Sequence, residues 1–140
     1  MTRTRAQVLA VGACVLLWSV SLALPALEIS GGPTLRGIDV LFRGWQGISS
    51  GVYAWLANPL FALAAVVCVA RAWRTGLTLA GAACVAGLTS FAANALAARG
   101  GANVPEFMFV TGFYVWLTSL VALAVCAAHE SLPRRDTARS

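Results

Sequence analysis

The sequence predicts an all-α integral membrane protein, a bundle of four antiparallel transmembrane helices with a short interfacial helix in the first outer loop. Three observations predict it. Four runs, Ala6–Leu24, Val52–Ala70, Leu77–Ala98 and Phe107–Ala128, contain no Lys, Arg, Asp, Glu or His. A helix rises ~1.5 Å per residue, so ~20 residues cross the ~30 Å hydrocarbon core of a bilayer. Hydrophobic residues make up 59% of the chain and charged residues only 11%, against ~25% charged in soluble domains. The charges that remain alternate in sign balance from one connection to the next, as a membrane topology requires.

All of the Lys+Arg total of 10 are arginines. Arg3, Arg5, Arg71, Arg74, Arg134, Arg135 and Arg139 fall on one side of the predicted bundle, with only Glu130 and Asp136 against them. Arg36, Arg43 and Arg99 fall on the other side, matched by Glu28, Asp39 and Glu106. The whole net charge of +5 therefore sits on one face, which the positive-inside bias makes cytoplasmic. Both termini belong to that face. The excess charge reads as topology and headgroup contact. No basic patch is interleaved with stacking aromatics, so nucleic-acid binding is not expected.

The first span, residues 6–24, has a basic start and an Ala-Leu-Pro-Ala end at Ala23–Ala26. Its apolar stretch is longer than the ~7–15 residues of a signal-peptide core, and it is expected to be a retained helix. The outer loop, residues 25–51, follows. Within it Ile38, Leu41, Phe42, Trp45 and Ile48 share one helical face, while Arg36, Asp39, Arg43 and Gln46 fall largely on the other. That pattern predicts a helix lying in the membrane interface. Gly31, Gly32 and Pro33 before it, and Gly47, Ser49, Ser50 and Gly51 after it, break it off.

The second span, 52–70, carries Asn58-Pro59, where the missing donor of proline predicts a kink. The third span, 77–98, carries small or polar residues at Ala82, Ala86, Ser90, Asn94 and Ala98, with Gly87 adjoining. Small residues repeated every four positions allow close helix approach in lipid, and Ser90 and Asn94 add interhelical hydrogen bonds. The candidate packing stripe is therefore Ala82, Ala86, Gly87, Ser90 and Asn94. The fourth span, 107–128, brings Tyr114 and Thr118 onto one face beside the close-contact Gly112. Phe107, Phe109, Phe113 and Tyr114, with Trp45, Tyr53 and Trp55, form an aromatic belt at the outer interface. The tail, 129–140, is polar and too short for a domain, so residues 1–140 form a single membrane domain.

Chemistry is constrained mainly by what the spans lack. Proton- or cation-coupled transport is usually built on an intramembrane ionisable residue, and the four runs hold none. A haem needs axial ligands inside the bundle; His129 and Met108 fall at opposite ends. Cys14, Cys68, Cys84 and Cys126 fall one per span with no Cys-x-x-Cys, and are expected to pack as small apolar side chains. No cofactor and no metal is expected.

Gly44-Trp45-Gln46-Gly47, then Gly51, then Ala54-Trp55-Leu56-Ala57-Asn58-Pro59, and later Gly112-Phe113-Tyr114-Val115-Trp116-Leu117-Thr118-Ser119 resemble recurring blocks of a group of small bacterial four-span membrane proteins with no established activity. The resemblance covers about a fifth of the chain. It implies a shared outer-leaflet cluster of Trp45, Trp55, Asn58, Pro59, Tyr114 and Trp116, a candidate ligand site. The expected function is that of a small, non-enzymatic protein of the bacterial inner membrane, an accessory subunit of a larger complex. Its expected partners are the lipid bilayer and either another membrane protein or a second copy. Two alternatives stand beside it. One is an oligomeric channel or carrier for a neutral solute or small anion, using Asn58, Ser90, Asn94, Thr111 and Thr118. The other is a lipid-modifying enzyme with Glu28, Asp39 and Glu106 at the outer face.

Overall fold

The computed structural model describes residues 3–50, 53–98 and 107–132. Its elements are α1 (Arg3–Ala23), β1 (Pro25–Ile29), β2 (Thr34–Arg36), α2 (Gly37–Arg43), a 3-10 segment Gly44–Ser50, a 3-10 turn Ala54–Leu56, α3 (Ala57–Val69), α4 (Trp73–Ala98), β3 (Phe107–Phe109) and α5 (Thr111–Ser131). Among the described residues three helical stretches, Thr4–Ala23, Trp73–Ala92 and Thr111–Ser131, are long and apolar enough to cross a membrane. The helical class therefore holds, and these helices have the length and composition of membrane spans.

The distribution of side-chain size supports a lipid surround. Among the described residues the buried core is dominated by small groups: Cys14, Ala57, Ala64, Ala65, Cys68, Ala80, Ala83 and Ala127, joined by Val11, Phe61, Leu120 and Leu123. The bulkier aliphatics point outward, with Leu9 61%, Leu16 65%, Val66 65%, Val85 66% and Val125 63% exposed. In water this arrangement would forfeit most of the transfer energy of those side chains. In lipid the outward aliphatics lose nothing, and small inward residues let helices pack closely.

Glycines mark the closest approaches. A Cβ at Gly76 would overlap the Cys68 Sγ, so α4 leaves the α3 turn pressed against α3. At Gly87 a Cβ would sit 3.1 Å from Leu120 Cδ1 and 3.2 Å from Trp116 Cη2, which sets the α4–α5 contact. Arg71, in the α3–α4 turn, has φ 66°, a left-handed conformation that ordinarily favours glycine. Its guanidinium Nη2 donates to Thr4 Oγ1 at 3.0 Å, and nearby Gln7 Nε2 donates to Glu130 Oε2 at 2.6 Å, tying α1 to α5.

At the other end of the molecule the chain does something the sequence reading did not anticipate. Three short strands form a sheet in the order β2-β1-β3. β1 pairs antiparallel with β2 (Leu27 opposite Leu35, Glu28 opposite Thr34) and with β3 (Leu27 opposite Phe109, Glu28 opposite Met108, Ile29 opposite Phe107). Gly31, at φ 71°, turns the chain between β1 and β2, and Gly32 N–H closes onto Ile29 O at 2.9 Å.

The element boundaries also differ from expectation. α5, the helix of the fourth apolar run, starts at Thr111 because Phe107–Phe109 is recruited to the sheet. The second apolar run yields an α-helix of only 13 residues. Pro59 lies in the first turn of α3, just after the 3-10 turn Ala54–Leu56 gives way to α-helix. The first backbone N–H groups of a helix have no intrahelical partner, so proline costs little there. A short helix, α2 of 7 residues continued by the 3-10 segment, falls where the sequence predicts an interfacial one.

Candidate functional site

The centre of the molecule's sheet end is a single amide. The Asn58 side chain, in the first turn of α3, is 9% exposed. Its Oδ1 accepts hydrogen bonds from two indoles, Trp18 Nε1–H of α1 at 3.1 Å and Trp116 Nε1–H of α5 at 2.9 Å. Its Nδ2 donates to the Trp55 carbonyl at 3.3 Å. Indole nitrogen only donates, so the amide atom facing two indoles is the oxygen. One residue thus joins α1, α3 and α5 inside a mainly apolar core. The indoles are themselves fixed: Trp18 stacks on Phe61 at 5.9 Å between centroids, and Trp116 lies against Phe113 at 5.6 Å.

Above this network lies a cavity of about 260 Å³. The end of α1, β1, α2, the 3-10 segments, Ser90 of α4, β3 and the start of α5 surround it. The cap over it, made of β2, α2 and the 3-10 segment Gly44–Ser50, is pinned at several points. Asp39 Oδ2 accepts from the Arg36 N–H at 3.1 Å at the start of α2. Gly37 N–H donates to Leu24 O at 3.0 Å, and a Cβ at Gly37 would strike the α1 backbone at Ser21 and Leu22. Gly112 is held similarly, its ideal Cβ only 2.5 Å from the Pro25 carbonyl oxygen. Trp55 Nε1–H donates to Leu41 O at 2.6 Å, which fastens the cap to the head of α3.

The walls are largely aromatic. Phe109 and Phe113 stack at 3.9 Å with an interplanar angle of 19°, and Phe91 meets both edge-on at 5.1 and 5.4 Å. The polar side chains lining the cavity are Ser21, Asn58, Ser90 and the Trp55 and Trp116 indoles. Ser21 Oγ is committed to the Trp18 carbonyl at 2.6 Å. The hydroxyl of Ser90, a residue 7% exposed, has no hydrogen-bond partner among the described residues.

The structure brings Trp55, Asn58 and Trp116 together around this cavity. It places Trp45, Tyr114 and Pro59 elsewhere: Trp45 is 56% and Tyr114 53% exposed, Pro59 is exposed, and Tyr114 borders a separate groove between α1 and α5 with Leu17 and Thr118. Trp18, Phe107, Phe109 and Phe113 belong to the site and were not in the sequence-based cluster. An Asn in an apolar run near tryptophans was the available signal for Trp18, since a buried indole N–H needs an acceptor.

The candidate stripe on α4 divides. Gly87 and Ser90 are buried, Ala86 and Asn94 half-buried, and Ala82 is exposed. The buried face runs through Gly76, Ala80, Ala83, Gly87 and Ser90. A strict four-residue repeat drifts by ~40° per step on a 3.6-residue helix, whereas alternating steps of four and three stay on one face. Glu28 is exposed on β1, Asp39 is engaged at the start of α2, and Glu106 lies outside the described residues, as do Arg99 and the arginines of the tail.

Two outward surfaces remain open. An added Cβ at Gly81 of α4, or at Gly12 of α1, would meet nothing within 4 Å. Exposed Ala82 and Thr78 adjoin the first, and exposed Ala10 and Ala13 the second. Comparison with family models, with curated proteins and with solved structures finds no match for the chain.

Proposed function

We propose that the protein is a non-enzymatic, four-span component of the bacterial inner membrane, with both termini cytoplasmic, that works as an accessory subunit docked to another membrane protein. The four spans run antiparallel. The second is the short stretch Ala54–Val69, packed among its neighbours and headed by the cap, where the bilayer thins or the interfacial segment makes up the length. The outward-facing aliphatics support the lipid surround. The arginine excess at the α3–α4 turn and the N-terminus supports the orientation.

The observation that carries the docking role is the bare helical surface at Gly81 and Ala82. In lipid, association depends on close backbone approach, which small outward residues allow. Thr78, on the same exposed side, has its hydroxyl turned back to the Arg74 carbonyl at 3.1 Å, so it too presents a compact surface. The test is the mass of the intact assembly after extraction into nanodiscs at native expression level. The wild type is expected to leave the membrane with a second, different chain. Gly81→Leu/Ala82→Leu is expected to leave alone, with its helical content unchanged, because neither position touches the core. A wild-type protein that emerges only as a monomer, or as copies of itself, would overturn the accessory role.

A further inference from the structure

We propose that the capped cavity is a binding site for a neutral lipophilic molecule that carries a hydrogen-bonding oxygen, and that the Ser90 hydroxyl is the group that receives it. The inference is independent of the docking role. Three observations carry it. The first is size. At about 260 Å³ the cavity exceeds the roughly 150 Å³ that suffices to hold benzene in an apolar protein interior. The space is maintained by tight glycine contacts and a hydrogen-bonded cap.

The second is polarity. The Asn58 oxygen already accepts from two indoles, and the Ser21 hydroxyl already donates to the Trp18 carbonyl. The donors that remain are the hydroxyl of Ser90, a residue 7% exposed whose hydroxyl has no partner among the described residues, and the second amide hydrogen of Asn58. A hydroxyl both donates and accepts, so a carbonyl or alcohol oxygen suits it. The third is charge and shape. Among the described residues no ionisable side chain lines the cavity, so an anionic or cationic group would enter without compensation from them. Trp55, Trp116, Phe107, Phe109 and Phe113 present ring surfaces, which favour a flat ring or an unbranched chain.

That chemistry is shared by a quinone ring and by a hydrocarbon chain ending in an alcohol. The probes 2-methyl-1,4-naphthoquinone and 1-decanol represent the two sources, with decanoate as the charged counterpart of the second. Equilibrium dialysis of each against delipidated protein in nanodiscs, corrected for empty nanodiscs, measures occupancy. One saturable site per chain is expected for the naphthoquinone or for decanol, and the probe that binds identifies the source. Decanoate is expected to bind at least tenfold more weakly than decanol if the chain is the source.

Ala54→Leu, which fills the cavity, is expected to abolish saturable binding. Ser90→Ala is expected to weaken it roughly three- to tenfold, the worth of one hydrogen bond. Should Ala54→Leu fail to fold, Ser90→Ala, which removes one oxygen atom, decides alone. Absence of saturable binding by both neutral probes, or binding unaltered in the folded variants, would overturn the proposal.

Discussion

At the residue scale the fold depends heavily on the Asn58 amide. Its oxygen serves two indole donors from two other helices, and loss of the acceptor strands both. Each buried donor left unsatisfied costs about 1–3 kcal/mol, whereas replacing both sides of a hydrogen bond with apolar groups can be nearly neutral. Asn58→Leu is therefore expected to destabilise the protein by about 2–4 kcal/mol. The triple variant Asn58→Leu/Trp18→Phe/Trp116→Phe is expected to recover part of that loss despite carrying more substitutions. Thermal unfolding followed by circular dichroism in a mild detergent decides the matter. A triple variant less stable than Asn58→Leu would show that the indoles contribute by volume and not through the shared oxygen. The residue was visible in the sequence as a polar group in an apolar run, and its neighbours Trp55 and Trp116 were visible with it. Trp18 was not, because nothing local links positions 18 and 58; only the packing of α1 on α3 and α5 does.

At the element scale, periodicity predicted where helices exist better than where they begin. Apolar runs marked α1, α4 and α5 because their length requires either a membrane or a large core. The same apolar character concealed the start of α5, since Phe107–Phe109 is as hydrophobic in a strand as in a helix. Pairing with β1, which supplies backbone partners to an otherwise unpaired segment, decides it. The sheet was illegible for a related reason: β1 is five residues, and β2 and β3 are three each, too short for alternation to register. On α4 the small residues were legible but their phase was not, because Ala and Gly occur all round that helix. Gly76 provides a test of the phase. Gly76→Ala places a methyl group where the Cys68 Sγ already lies and is expected to cost about 1–3 kcal/mol through overpacking. Cys68→Ala in the same chain is expected to return at least half of it, since the two sites share one contact. Equal, additive losses in the double variant would place the strain elsewhere.

For the whole molecule the question is orientation. The arginines of the described N-terminal turn and of the α3–α4 connection lie at one end, where Arg71 reaches Thr4. The sheet, the cap and the cavity lie at the opposite end. With the positive-inside bias, the cavity end faces outward in the proposed topology. A fluorescent protein fused after Ser140 is expected to light, and an alkaline phosphatase fused there to stay inactive. The phosphatase inserted after Gly31, at the turn between β1 and β2, is expected to be active. The reverse pattern would invert the topology and put the cavity on the cytoplasmic side. The aromatic side chains Phe42 and Trp45, 72% and 56% exposed, project from the cap on the side away from Val40 and Leu41, which line the cavity. They are placed to sit among headgroups in either orientation, as interfacial aromatics do.

The pairing of β1 with β3 joins Ile29 to Phe107, and so ties a segment made early in synthesis to one made late. A chain emerging from the ribosome completes α1, the cap, α3 and α4 before β3 exists. Until then β1 has one bare edge, the Ala26 carbonyl lacks the Val110 N–H that it later accepts at 3.1 Å, and Trp116 has not reached Asn58. The closing of the cavity and the seating of the last helix are consequently one event. A truncated or stalled chain would display an open strand edge and an unroofed interior, the kind of unpaired edge on which chains associate wrongly.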